Sequence, residues 1–498
     1  MRGRRRRFLA VLATLLALVA FVGCHAILGL DDPTIARDDG GSETSTSETS
    51  TGGDGGATDG GADAIDDAPD VVVTYNEDWE NPSLWNSIDL SKINLGTSSF
   101  IGGVFDGRYI YFPPSSNTVQ NAFAARYDTS GNNLTLITSW SFFDTASLNP
   151  AARGFVSSFF DGRYVYFVPF ATPTTHVGLM VRYDTQSGRQ FSDPLAWETF
   201  DITPFNSNAK GFVGGVWDGK NTAFMAPGPG VFPEGDGGRP QSVAAKFDTT
   251  PGGFKSQGSY QFFDTQLIDA LKPRGFFGTI LTNDHLYLVP YGYGGGSKGR
   301  AVRYTRAKPF TDPSSWEMFD LESIDPQAVG YQGGAYDGRY VYLTPLLNNT
   351  QGWHGRAARF DTLQPFKTAT SWQIFNLDTL DGGVIPSQMP DSGYVPRVGY
   401  SGAGFDGRYV YFAPYGSSLP ETYHGWVARY DSTKPFDASG SWSFYNVATL
   451  NADAVAFSGA VFDGQYMYFV PAVKSVVVRF YASYPAKMPP FLRGGSFL

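Results

Sequence analysis

One short stretch is written seven times along this chain, most clearly as Phe105-Asp106-Gly107-Arg108-Tyr109-Ile110-Tyr111-Phe112. It returns from Phe160 to Phe167, Tyr336 to Leu343, Phe405 to Phe412 and Phe462 to Phe469, with worn copies from Trp217 to Met225 and Leu281 to Leu288. An Asp-Gly pair between two alternating apolar runs predicts a tight β-hairpin, with both residues in the turn at φ > 0. Copies that recur about every 55 to 70 residues call for a repeat architecture before any single site is considered.

Each copy sits in a unit of four recurring segments. The first carries small residues and an aromatic, as in Ser99 to Phe105, Lys210 to Trp217 and Gly330 to Tyr336. The second follows the turn and ends at a proline (Pro113, Pro169, Pro345, Pro414, Pro471), which cannot donate to a ladder. The third pairs a basic residue with an aromatic, from Arg126-Tyr127 to Arg479-Phe480, and the fourth opens on an aromatic, such as Trp140, Trp197, Tyr260 or Trp442. After Arg479-Phe480 no fourth segment follows; the missing copy stands at the other end, in Leu84 to Asp89. Circular closure accounts for this displacement, because a ring of sheets leaves only short, protected edges. The expected fold is all-β: a seven-bladed β-propeller of four-stranded blades, its ring running from about residue 80 to 482, closed by the N-terminal strand completing the last blade.

The order apolar-apolar-Asp-Gly-basic-aromatic-apolar-aromatic, then basic-aromatic-Asp, then Trp, resembles kelch repeats and covers the whole folded region. Kelch units usually end the second strand in Gly-Gly, whereas this chain has Val168-Pro169, Thr344-Pro345, Ala413-Pro414 or Val470-Pro471 there. The resemblance implies a fold more than an activity. Copper-radical oxidase chemistry, known on kelch-type propellers, uses a cysteine beside its tyrosine, and Cys24 is the only cysteine here.

Cys24 has a different setting. Arg2 and Arg4 to Arg7 form a basic region, Phe8 to Val22 an apolar one, and Phe21-Val22-Gly23-Cys24 is similar to a bacterial lipobox with Phe in the place usually held by Leu. This predicts a signal peptide over 1–23 and lipidation at Cys24. Residues 24–70 read as a disordered acidic linker of Ser, Thr, Gly and Asp: its stretch 31–70 holds twelve Asp or Glu against one basic residue, Arg37. The propeller is assigned to 71–484 and a tail to 485–498. Much of the net charge of −10 belongs to the linker, so the folded part has no basic footprint for nucleic acid.

In a propeller of this order the Asp-Gly turns share one face with the third-to-fourth connections. The other face carries long, unequal loops: Pro227 to Ser242, Tyr291 to Arg300, Leu346 to Arg356, Tyr415 to Trp426 and Asn376 to Gly399. Variable loops on a rigid frame are where binding resides. Three groups there are candidates. Tyr291, Tyr293, Trp353, His354, Tyr415, Tyr423, His424 and Trp426 offer flat rings to a sugar or to a partner's apolar side chains, or pack the loops on themselves. Arg153, Lys210 and Arg274, with Arg397 one residue off register, precede the inner strands and suit an anionic ligand, or pair locally with Asp144, Asp201 and Asp264. His354, His424 and His176 stand at loop ends as surface residues or metal ligands, yet no acid stands at a matching place, so no metal and no cofactor is expected.

The repeated Asp, Arg and Lys residues read as structural, since a catalytic group has no reason to appear seven times. These features lead to a monomeric, lipid-anchored binding module at the bacterial envelope, at the outer membrane, recognising a glycan or a protein. The alternatives are a glycan lyase, hydrolase or epimerase, with Arg153, Lys210 and Arg274 stabilising charge and Tyr331, Tyr400 or His354 moving protons, and a structural envelope scaffold.

Overall fold

The computed structural model describes residues 72–97, 99–115, 122–230, 241–293, 296–348, 352–380, 398–418 and 423–489, together with the backbone of 27–28 and 496–497. Cys24, Arg397, the signal segment, and nearly all of the linker lie outside the described residues, as does most of the tail.

Seven four-stranded antiparallel sheets form the ring. Blade one runs Val104–Phe105, Tyr109–Phe112, Phe123–Asp128 and Trp140–Asp144, from inside to outside. Blades two to six repeat that order from Phe155, Phe212, Phe276, Tyr331 and Val398. Blade seven takes its first three strands from the end of the chain, Phe457–Phe462, Tyr466–Pro471 and Val476–Tyr481, and its outer strand from the beginning, Trp85–Asp89. Trp85 faces Phe480 and Asp89 faces Val476 across that closing pair. Hydrophobic cores lie between neighbouring blades: Val104, Tyr111 and Phe143 of blade one pack with Phe155, Phe167 and Trp197 of blade two.

The hairpin turn differs from the expectation in one respect. Asp106 is not a central turn residue; its N–H donates to the Tyr109 carbonyl, leaving Gly107 and Arg108 as the two-residue loop, with glycine at φ 102°. The Asp side chain works from the flank. Its Oδ1 accepts the N–H groups of Arg108 (2.8 Å) and Tyr109 (2.6 Å), and its Oδ2 accepts the Tyr111 hydroxyl at 2.7 Å. Asp161, Asp337, Asp406 and Asp463 repeat the arrangement with Tyr166, Tyr342, Tyr411 and Tyr468. Blade four lacks the Asp: Thr282 takes its place, its N–H donating to the His285 carbonyl.

Two further devices fix the connections, the first within a blade and the second between blades. The aromatic that opens each outer strand donates to the carbonyl six residues earlier: Trp140 to Leu134, Trp197 to Phe191, Trp316 to Phe310, Trp372 to Phe366, Trp442 to Phe436, Trp85 to Trp79, and Tyr260 through its hydroxyl to Phe254. The third-strand arginine is then clamped between rings of two blades. Arg126 lies 4.1 Å from the Tyr109 ring centre and 4.8 Å from that of Phe191 in blade two; Arg359 lies likewise between Tyr340 and Phe436. Such desolvated cation–π contacts are each worth about 1–2 kcal/mol.

The small residues of the inner strands mark a bulge. Register shifts between Phe212 and Gly215, where Gly214 stands at φ 90°, and the same shift follows Phe155, Phe276, Tyr331 and Phe457. A Cβ on Gly214 would come within 2.8 Å of the Gly278 Cα of the next blade, so glycine here also permits close approach around the ring's centre.

Candidate functional site

The second-to-third connections rise from the ring as small ladders. Gly292–Tyr293 pairs with Gly296–Ser297, Leu347–Asn348 with Gly352–Trp353, and Gly416 bridges Tyr423. The Ser297 hydroxyl donates to the Leu347 carbonyl at 2.7 Å, tying the blade-four connection to that of blade five.

These connections bring three blades' aromatics to one place. Tyr415 is buried, with the Trp353 ring 5.8 Å and the Tyr423 ring 5.6 Å from its own. Leu346, Leu347, Ala456 and Ala472 form the floor, and Tyr291, Trp353 and Tyr423 pack half-buried around it. Burial pushes the Tyr415 phenol well above its ordinary value, with the Tyr423 and Tyr291 rings adding to the shift. Trp353 is wedged rather than draped: a Cβ on Gly416 would meet its ring at 2.5 Å, and one on Gly399 at 2.9 Å. The result is an apolar platform with three partly open rings around one closed ring. Rings held in this way lose little side-chain freedom on binding.

The other aromatic candidates go elsewhere. Trp426 opens the third strand of blade six and packs into the core between blades five and six. Tyr293 contributes backbone to its ladder, and its side chain lies outside the described residues.

The histidines are interior, against the expectation of surface residues. His354 and His424 are 2% and 4% exposed. His354 Nε2 lies 2.7 Å from the Val329 carbonyl and its Nδ1 accepts the Arg356 N–H; His424 Nε2 lies 3.0 Å from the Gly399 carbonyl and its Nδ1 accepts the Trp426 N–H. Each ring stands edge-on to a tyrosine of its blade's inner strand, Tyr331 or Tyr400. Both ring nitrogens of each are thus engaged in bracing a connection to its own blade. Burial lowers His424 to about 4, so it is neutral at physiological pH. His176 is buried beside Phe170, its Nδ1 3.4 Å from Gln241 Nε2. Among the described residues no group of three His, Cys, Asp or Glu could hold a metal ion.

Arg153, Lys210 and Arg274 occupy equivalent places, each followed by a left-handed glycine: Gly154, Gly211 and Gly275, at φ 67°, 68° and 70°. Arg153 Nε donates to the Pro150 carbonyl, and Arg274 Nη1 donates to Gln266 Oε1 at 2.8 Å. Asp144, Asp201 and Asp264, the acids suspected of pairing with them, cap the turns after their strands, accepting the N–H groups of Ala146, Thr203 and Gln266. Tyr331 and Tyr400 have buried hydroxyls without a hydrogen-bond partner among the described residues, and burial pushes both phenols well above their ordinary value.

No known family model matches the chain, and no curated protein does. Solved structures similar to it include the β-propeller domain of Cps50 (Swd1) from Myceliophteria thermophila, with 10% identity and a TM-score of 0.44 over 80% of this chain and 99% of that one. Another is PorZ, an essential bacterial surface component of the type-IX secretion system of Porphyromonas gingivalis, with 12% identity and a TM-score of 0.41 over 82% of this chain. This chain spans 39% of the PorZ chain.

Proposed function

We propose that this protein is a non-catalytic binding module of kelch-like type, held at the bacterial outer membrane by a lipid on Cys24 and recognising a glycan or a protein through its loop-rich face. Residues 24–70 serve as the spacer that carries the ring away from the membrane. The observation behind this reading is the platform of Tyr291, Trp353 and Tyr423 around the buried Tyr415, assembled from three consecutive blades. Partly exposed rings on a rigid floor suit the faces of sugars and the apolar side chains of a partner. The acid–base groups needed for an enzyme fit poorly: the Tyr331 and Tyr400 phenols are sealed in and hard to ionise, and both nitrogens of His354 are engaged in bracing.

The test is a glycan array and a cross-linking screen against envelope proteins, both on the full chain in detergent, with breakdown of any bound polysaccharide followed in the same samples. Binding without cleavage is expected; cleavage would replace the binding reading with the enzymatic one. For the anchor, Cys24→Ser is expected to move the protein from the membrane fraction to the soluble fraction. Retention of that variant at the membrane would contradict lipid anchoring.

A further inference from the structure

Blades three and four depart from the pattern of the turn face, and blade three leaves a gap there. In five blades the third-strand arginine lies over the tyrosine that opens the second strand, 3.8 to 4.2 Å from the ring centre: Arg126 on Tyr109, Arg182 on Tyr164, Arg359 on Tyr340, Arg429 on Tyr409 and Arg479 on Tyr466. In four of these blades the turn arginine also pairs with the aspartate that ends the third strand, as Arg108 with Asp128, Arg163 with Asp184, Arg339 with Asp361 and Arg408 with Asp431. A Gly-Arg-Tyr turn therefore fills the same polar notch again and again.

Blade three has the notch without its filling. Its turn is one residue longer, Asp218 bonding to Thr222, so Thr222 faces Asp248 where Tyr109 faces Asp128 in blade one. Lys246 stands in place of the clamped arginine, facing Gln261. The turn residue Lys220 is exposed. Neither Lys246 nor Asp248 has an ion-pair partner among the described residues; Asp248 accepts only the Thr250 N–H, at 2.9 Å. Where the ring and guanidinium would lie, a cavity of about 270 Å³ opens, lined by Asn221, Thr222, Lys246, Asp248, Ser259 and Gln261, with Gly258. A cavity of ~150 Å³ already admits a benzene ring, so this one has room for a phenol and more.

We propose that this cavity receives an arginyl–tyrosyl segment of a partner protein. The guest tyrosine ring lies against the Lys246 ammonium, as Tyr109 lies against Arg126, and the guest guanidinium pairs with Asp248, as Arg108 pairs with Asp128. The molecule displays the required chemistry in its own other blades: a flat ring under a cation and a fork of N–H donors on a carboxylate. The site is on the turn face and does not depend on the aromatic platform of the loop face.

The probe is N-acetyl-Gly-Arg-Tyr-amide, titrated into the full chain in detergent and followed by saturation-transfer NMR. Saturable binding is expected, weakened about tenfold or more when alanine replaces either the arginine or the tyrosine of the peptide, and about fivefold or more by Asp248→Asn in the protein. The double variant Thr222→Tyr with Lys246→Arg fills the cavity from within and should abolish binding while raising the melting temperature. Absence of saturation with the unaltered chain would overturn the proposal, as would unchanged affinity in both the filled and the Asp248→Asn variants. Glucuronate that saturates the same site while the peptide does not would overturn it too, replacing it with a sugar-acid site.

Discussion

The two faces of this ring are built on opposite rules. On the turn face one solution recurs: an aspartate holding two backbone N–H groups and a tyrosine hydroxyl, in five of the seven blades. On the loop face the bracing varies around the ring, with a histidine under blades five and six and a serine-to-carbonyl bond between blades four and five. Repetition spreads stability evenly around the ring, whereas variation gathers the aromatic rings of three blades into one place. A change on the turn face should therefore register in folding, and a change on the loop face in binding.

The strongest way to break that contrast is Asp406→Ala. Asp406 is 1% exposed, and its removal leaves the Arg408 and Tyr409 N–H groups and the Tyr411 hydroxyl without their acceptor. We expect a loss of about 3 kcal/mol or more in denaturant unfolding, and a loss under 1 kcal/mol would contradict the structural role of the repeat. Gly214→Ala comes next. It places a Cβ at φ 90° and 2.8 Å from backbone of the next blade, for an expected loss of about 2–4 kcal/mol.

The pH dependence sharpens the picture of the buried aspartates. Burial pushes the Asp406 carboxyl up to about 6, against the pull of its hydrogen bonds. An ordinary aspartate titrates near ~3.9, so between these values the native state binds more protons than the unfolded chain, and the contribution of Asp406 to stability falls as pH rises from about 4 to 6. Asp406→Asn should flatten that slope in unfolding measured from pH 4 to 7; an unchanged slope would mean that other groups carry it. Asp128 runs the other way. Burial raises it, but the Arg108 guanidinium and the Ser130 hydroxyl and amide outweigh burial and hold it at about 2, so its contribution is lost only as pH falls through the acid range. The smallest expected effect is a gain: Ala456 sits at φ 57°, where blades two to five have glycine, and Ala456→Gly should stabilise by about 0.5–1 kcal/mol in the same assay.

The ring and its closure were legible because they rest on counting. Seven third segments and a fourth displaced to Leu84–Asp89 admit few arrangements, and Trp85–Asp89 does pair with Val476–Tyr481. The turn was legible only in outline. The Asp-Gly dipeptide looks the same whether Asp is central or flanking, and what separates the two cases is the Tyr111 hydroxyl reaching back five residues, a contact that alternation alone does not reveal. The inner-strand glycines were visible as small residues, yet their positive φ follows from a bulge set by the neighbouring blade. His354 and His424 misled for a related reason. A histidine at the end of a glycine-rich loop reads as exposed, and only the packing of Tyr331 and Tyr400 against it makes it interior. Of the aromatic candidates, Tyr291, Trp353, Tyr415 and Tyr423 converged, while Trp426, the first residue of a strand, packs against the core between blades five and six.

The central claim is that the loop platform recognises and the repeat supports. The most direct test is ligand binding by the full chain carrying Trp353→Ala and Tyr423→Ala together, measured beside its melting temperature, against the glycan or protein partner found in the screen. We expect binding to fall at least about tenfold while the melting temperature moves by only a few degrees. Binding at full strength in the folded double variant would contradict the assignment of recognition to this platform.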